Sequence, residues 1–157
     1  MAPLRPDGSL YPPAHRRVSI EEWQPWAELL IDTVRADAPD TLLFISGVNW
    51  GYDLRGFPLR RDGIVYSAHV YPKKDLDWFT AFGHLADTAP VFAGEFGGGG
   101  QDLAWGRSLL DYLDDLSLGW TAWSFADHPH LCDRSFTPTR FGELVRDRLR
   151  RATAFVA

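Results

Sequence analysis

Val91-Phe92-Ala93-Gly94-Glu95-Phe96-Gly97 is a short apolar run that ends in a carboxylate and passes into Gly98, Gly99 and Gly100. It is too short for a buried helix and reads as a strand buried on both faces. A parallel strand delivers side chains into a cleft at its C-terminal end, and Glu95 stands there, a charged group between Phe92 and Phe96. A strand-end glutamate can simply reach water or cap the next helix. Glu95 rises above that reading because three other strands end in similarly unusual residues.

Upstream, Met1 to Arg17 is rich in proline and turn formers and reads as loop. Ser19-Ile20-Glu21-Glu22 fits a capping box, and Ile20, Trp23, Ala27, Leu30, Ile31 and Val34 form an apolar stripe at helical spacing. Pro25 is expected to separate the first turn from the main helix, which ends before Pro39. Thr41 to Ser46 reads as a strand, Gly47 to Gly51 as a loop, and Tyr52 to Gly63 as a longer loop on the functional side. Ile64 to Tyr71 is the next strand, halted by Pro72. Leu76, Phe79, Phe82 and Leu85 then predict a helix ending near Thr88. Downstream of Glu95, Leu103, Leu109, Leu110, Leu113 and Leu116 mark a helix, and Gly119 to Phe125 a fourth strand. A last helix starts at about Thr139, with Phe141, Leu144, Val145 and Leu149 inward.

Strands separated by helices run parallel and need right-handed crossovers, so the class is α/β. A doubly wound open sheet and an arc of an eight-stranded barrel both satisfy the order. No GxGxxG or GxxxxGK[ST] pattern occurs, which weakens a nucleotide-binding open sheet. The C-terminal ends of four successive strands carry Asn49 with Trp50, His69 with Tyr71, Glu95, and Trp123. Together these offer a carboxylate, a phenol able to donate to it, an imidazole, and indoles able to stack on a sugar ring. Taken singly, His69 fits a backbone-satisfied histidine and Trp123 a core indole. Their shared topological position is what makes them a site.

The 157 residues are 45% hydrophobic, enough for one core. Seven Trp and five Tyr exceed what such a core needs, and a flat ligand such as carbohydrate would use them. A net charge of -5 argues against a nucleic-acid surface, and the basic run from Arg146 to Arg151 reads as the solvated face of the terminal helix. The single cysteine, Cys132, excludes an internal disulfide framework. No apolar run is long enough to span a membrane, and Met1 to Arg5 has no secretory apolar region. His128-Pro129-His130, with His69 and Asp127, is a poor metal signature, and neither metal nor cofactor is expected.

LLFISGVNWG, IVYSAHVYP, VFAGEFGGG and GWTAWSF, in this order and spacing, resemble strands five to eight of glycoside hydrolase family 5, the cellulase family of retaining barrel glycosidases. The resemblance runs from about Ser19 to the C-terminus. It implies the C-terminal half of a TIM (β/α)8 barrel acting on a β-linked oligo- or polysaccharide. Glu95 then matches the catalytic nucleophile, Tyr71 the phenol bonded to it, His69 the strand-six histidine, and Trp123 the sugar platform where cleavage occurs. Asn49 and Trp50 are expected to bind substrate.

The chain departs from the family in one respect. The family's acid/base glutamate follows an asparagine at the end of strand four, and no Asn-Glu pair occurs here; Glu21, Glu22, Glu28 and Glu143 are no substitutes. The expectation is therefore a half-barrel, with residues 1–18 as the loop after a missing strand four and 19–157 as strands five to eight. A full barrel takes about 250 residues. A first half-barrel or a second copy is the expected partner, through two open sheet edges. A non-catalytic carbohydrate-binding or interaction fragment, with Trp50, Trp123 and Trp105 as candidate platforms, is the competing expectation. Localisation is left open for the chain, with export expected of the parent enzyme, and the particular polysaccharide is not specified.

Overall fold

A computed structural model describes residues 18–59, 61–97, 102–126 and 131–153. Its elements run α1 (Ile20–Asp37), β1 (Leu43–Ser46), α2 (Val48–Gly51), β2 (Ile64–Val70), α3 (Trp78–Ala81), β3 (Val91–Phe96), α4 (Leu103–Asp115), β4 (Gly119–Ala122) and α5 (Arg140–Thr153), with a 3₁₀ turn over Gly83–Leu85. The strands form one sheet in the order β1-β2-β3-β4, every pair parallel. Within the described residues β1 and β4 therefore have one neighbour each.

The expected capping box closes the start of α1, with the Glu22 amide donating to Ser19 Oγ and the Ser19 amide to the Glu22 carboxylate. Pro25 does not divide the helix. It lies inside α1 on an exposed side, where its ring costs one bond to the Glu21 carbonyl. The Trp23 indole donates to the Ser46 carbonyl over 2.8 Å and ties α1 to the end of β1.

Two other expectations need correction. The helix expected from Leu76 to Thr88 is two short turns: α3, capped by Asp77 accepting from the Thr80 amide, and the 3₁₀ turn, divided where Phe82 leaves helical geometry at φ -150°. Phe82 and Leu85 are buried as the spacing predicted, but Phe79 faces solvent. The fourth strand ends at Ala122, because the amides of Ala126 and Leu131 both turn back onto the Ser124 carbonyl. Gly47 to Gly51 is the loop expected there, a tight turn in which Asn49, Trp50 and Gly51 take left-handed backbone and Val48 is bridged to Asp53.

The core lies on one face of the sheet. Tyr66, Ala68, Val70, Ala93 and Phe96 pack there against Ala27, Ile31, Leu109, Leu110, Leu113, Phe141 and Val145. The opposite face is open among the described residues. It carries Phe44, 54% exposed, edge-on to half-buried Phe92 at 5.7 Å. The reading of β3 as buried on both faces is thus corrected to one buried face. On the far side, α5 meets α4 through Arg148, whose guanidinium binds Asp111 and Asp114. One member of the terminal basic run is therefore structural rather than solvated.

The long loop after β1 is tied down by phenols. Tyr52 donates to the Leu76 carbonyl, and the Tyr66 hydroxyl accepts from the Leu59 amide while donating to its carbonyl. Burial, reinforced by the charges of Asp77, Asp75 and Asp53, pushes the Tyr52 phenol up to about 12, and burial also raises Tyr66. A raised folded-state value means stability that is complete below the ordinary phenol range and is lost as pH climbs through the folded value. Unfolding by base is expected to set in above pH 10 and to steepen toward pH 12. Circular dichroism followed against pH, with Tyr52→Phe removing part of the dependence, checks this.

Candidate active site

A bulge in β3 builds the site. The register runs Ala68 opposite Ala93 and then His69 opposite Glu95, so Gly94 is an extra residue with no partner on β2. Strict alternation would put Glu95 on the same side as Val91 and Ala93, against the helices, and Phe96 on the open face with Phe92. The inserted residue reverses both. Glu95 reaches the open face with a side chain 28% exposed, and Phe96 is fully buried. A Cβ at the insertion would stand 2.1 Å from the Ser67 hydroxyl, so a larger residue there has to displace that side chain. The Gly94 carbonyl freed by the bulge accepts from the Thr121 hydroxyl of β4, so the irregularity leaves no orphan there.

Alternation along β2 carries His69 and Tyr71 to the same face as Glu95. Tyr71 donates its hydroxyl to Glu95 Oε2 over 3.0 Å, and His69 Nδ1 lies 3.6 Å from the same oxygen. The other ring nitrogen of His69 is 3.5 Å from Ser46 Oγ at the end of β1. Gly51, at φ +79°, lets the loop after β1 lie directly on this imidazole, where a Cβ would sit 2.9 Å from the ring. Burial raises the Tyr71 phenol well above its ordinary value, and the bond to Glu95 and its charge raise it further. Tyr71 is therefore a proton donor to Glu95 throughout the neutral and mildly alkaline range.

Trp123 lies one residue beyond β4, 48% exposed, its amide donating to the Phe96 carbonyl over 2.8 Å. It is therefore anchored to the residue that follows Glu95. Asn49 and Trp50 are not joined to Glu95 by any hydrogen bond. Both adopt left-handed backbone, φ 54° and 56°, and the Asn49 carboxamide donates to Asp75 over 3.2 Å. Lys74 bonds the Asn49 carbonyl and lies over the Trp50 ring at 5.3 Å, leaving that indole 73% exposed. Beside Asn49 opens a cleft of about 620 Å³, lined also by Glu21, Asp53, Arg55 and Asp75. Trp105 is in the first turn of α4, half-buried against the core.

Asp127, His128 and His130 lie outside the described residues, as does Met1 to Arg17. Among the described residues, no three acidic, histidine or cysteine side chains gather as a metal would need. Sequence reading missed Ser46, Ser67 and Thr121, each of which acts through strand register. The only signal available for them was a small hydroxyl residue in a run of strand formers.

A family model described as Cellulase (glycosyl hydrolase family 5) matches residues 12–129. An endoglucanase of Thermobifida fusca is 24% identical over 127 residues, which cover 70% of this chain and 27% of that protein. An endoglucanase of Microbulbifer sp. (strain ALW1) is 26% identical over 128 residues, covering 70% and 25%. Among solved structures, the native form of a beta-glucanase from Saccharophagus degradans superposes with a TM-score of 0.77 at 28% identity, over 86% of this chain and 48% of that one. The catalytic domain of a Thermobifida fusca endoglucanase gives a TM-score of 0.65 at 22% identity, over 85% and 53%. The chain thus spans about a quarter of the length of these curated relatives and about half of the solved chains. With parallel strands and intervening helices that follow the barrel pattern of these structures, and a family match over most of its length, the chain belongs to the cellulase family, glycosyl hydrolase family 5.

Proposed function

We propose that the chain forms the nucleophile-bearing side of a retaining β-glucanase, corresponding to strands five to eight of its barrel. The observation that carries this reading is the Tyr71 hydroxyl donating to Glu95 Oε2 at the C-terminal end of β3. One oxygen of the carboxylate is held, and the other is left to attack. In the proposed reaction Glu95 attacks the anomeric carbon of a β-linked glucan as the glycosidic C–O bond breaks, and the leaving oxygen takes a proton from a second carboxyl group. Water then cleaves the glycosyl-enzyme ester, giving its proton to that same group and restoring Glu95.

Retaining chemistry places the two carboxyl groups about 5–5.5 Å apart. The partners recorded at Glu95 are a phenol and an imidazole, so the acid/base group is assigned to the part of the relatives' length that this chain does not span. His69 positions Glu95 and Tyr71, Trp123 supports the sugar ring at the cleavage point, and Trp50 and Asn49 contact sugar further along. A β-1,4-linked glucan is the substrate class favoured, since the Saccharophagus relative is also solved in complex with cellotetraose. The missing partner is the other half of the barrel.

The test is covalent trapping. A dinitrophenyl β-cellobioside with fluorine beside the anomeric carbon slows both steps, while its activated leaving group departs without a general acid, so the ester accumulates. One dinitrophenolate should be released per chain, with the glycosyl group mapped to Glu95 by mass spectrometry. Oligosaccharide binding without any label would instead establish a carbohydrate-binding chain with an incomplete site, and a label on another carboxylate would overturn the assignment.

A further inference from the structure

We propose that Phe125 and Phe136 form a second aromatic platform, which extends the glucan-binding face beyond Trp123 and takes an additional sugar ring of the same chain. This inference rests on the reading of the site as a β-glucan site. The two rings stack on each other at 6.0 Å between centroids and 23° between planes, yet they are 74% and 71% exposed. They pack on one another, with most of their surface left to water. Phe125 is two residues past Trp123, within about 7 Å of chain, so the platform continues the same strand end.

The local backbone holds the pair in place. Phe136 has φ 60°, a left-handed conformation that an aromatic residue rarely adopts. The turn is fastened around Asp133, whose carboxylate accepts from the amides of Ser135 and Thr137, while its own amide donates to the Thr137 carbonyl and its carbonyl accepts from Phe136. Four bonds thus serve to present one exposed ring. Nothing in the core uses that ring.

The size of the patch identifies the occupant. Two phenyl rings offer at most about 150–250 Å² each, far below the roughly 800 Å² per partner of a stable protein interface. A flat ligand with an apolar face and a polar rim fits them, and a pyranose is such a ligand. Exposed Ser135, next to Phe136, stands at the rim. Because Trp123 already serves the cleavage point in the proposed reading, this platform would engage only chains long enough to reach past it.

Calorimetric titration of the chain with cello-oligosaccharides from cellobiose to cellohexaose tests the proposal. In the unaltered chain, affinity should rise with length. Phe125→Ala with Phe136→Ala should leave the shortest binding oligosaccharide unaffected and weaken the longest about tenfold, equivalent to about 1.4 kcal/mol. Trp123→Ala should weaken all lengths alike. If Trp123→Ala abolishes binding but the phenylalanine substitutions leave the length dependence intact, the platform is overturned while the β-glucan reading stands. If no oligosaccharide binds the chain, both fall. If the substitutions change only the sedimentation behaviour, the pair is a contact between copies of the chain and the platform is again overturned. Phe136→Tyr, which keeps the ring, should retain the length dependence and separates loss of stacking from loss of the turn.

Discussion

Glu95→Gln is expected to reduce release of dinitrophenolate from dinitrophenyl β-cellobioside by on the order of 10⁴-fold or more, the scale reached when the nucleophile of a covalent mechanism is removed. Glutamine keeps the shape and can still meet the Tyr71 hydroxyl, but its amide carries no charge to attack with. The activated substrate is essential to the measurement. General acid assistance is worth typically 10²–10⁴-fold, and the group proposed to provide it lies outside the described strands, so an ordinary glucan would be slow for an unrelated reason. Shortening the side chain in Glu95→Ala leaves room for a small anion, and added azide should restore release and yield the glycosyl azide of opposite anomeric configuration. Unchanged release from Glu95→Gln would remove Glu95 from the mechanism.

The class of fold and the strand order were legible because each strand is a short apolar run separated from the next by a helical stripe or a clear loop. Glu95, His69 and Tyr71 were legible together because strand ends in an α/β sheet are few and their polar residues stand out against apolar neighbours. The device that makes them a site was not legible. Periodicity treats Val91 to Phe96 as one continuous strand, and the extra residue at Gly94 is visible only once β2 lies beside it. The same limit explains the region after Pro72. Spacing by three fits a helix, but the Asp77 cap and the non-helical Phe82 divide it into two short turns, and no local signal separates a regular helix from such a pair. Asn49 was grouped with the site by its place at a strand end, and left-handed backbone carries its carboxamide to Asp75, on the neighbouring cleft rather than at Glu95.

The bulge also determines which phenylalanine of β3 supports the fold. Phe96 is fully buried, edge-on to Trp120 at 5.4 Å and tilted against Phe141 of α5 at 6.3 Å, whereas Phe92, four residues earlier, lies on the open face. Phe96→Ala is expected to cost about 3–5 kcal/mol, the transfer term plus the cavity between β4 and α5. For a chain of this size that corresponds to a fall in melting temperature on the order of 10 °C. Phe92→Ala should cost only about 1 kcal/mol, because half-buried apolar surface contributes about half of what a full burial does. Parallel thermal and urea unfolding of the two variants measures the difference. Equal losses, or a larger loss at Phe92, would mean that the open face is covered in solution and that β3 is loaded from the other side. If the order is as expected, one inserted glycine both brings Glu95 to the open face and turns Phe96 into the core, so fold and candidate site depend on the same irregularity. Gly94→Ala would then reveal the coupling: its Cβ meets the Ser67 hydroxyl, the register of Glu95 and Phe96 is disturbed together, and covalent trapping and stability should decline in the same variant.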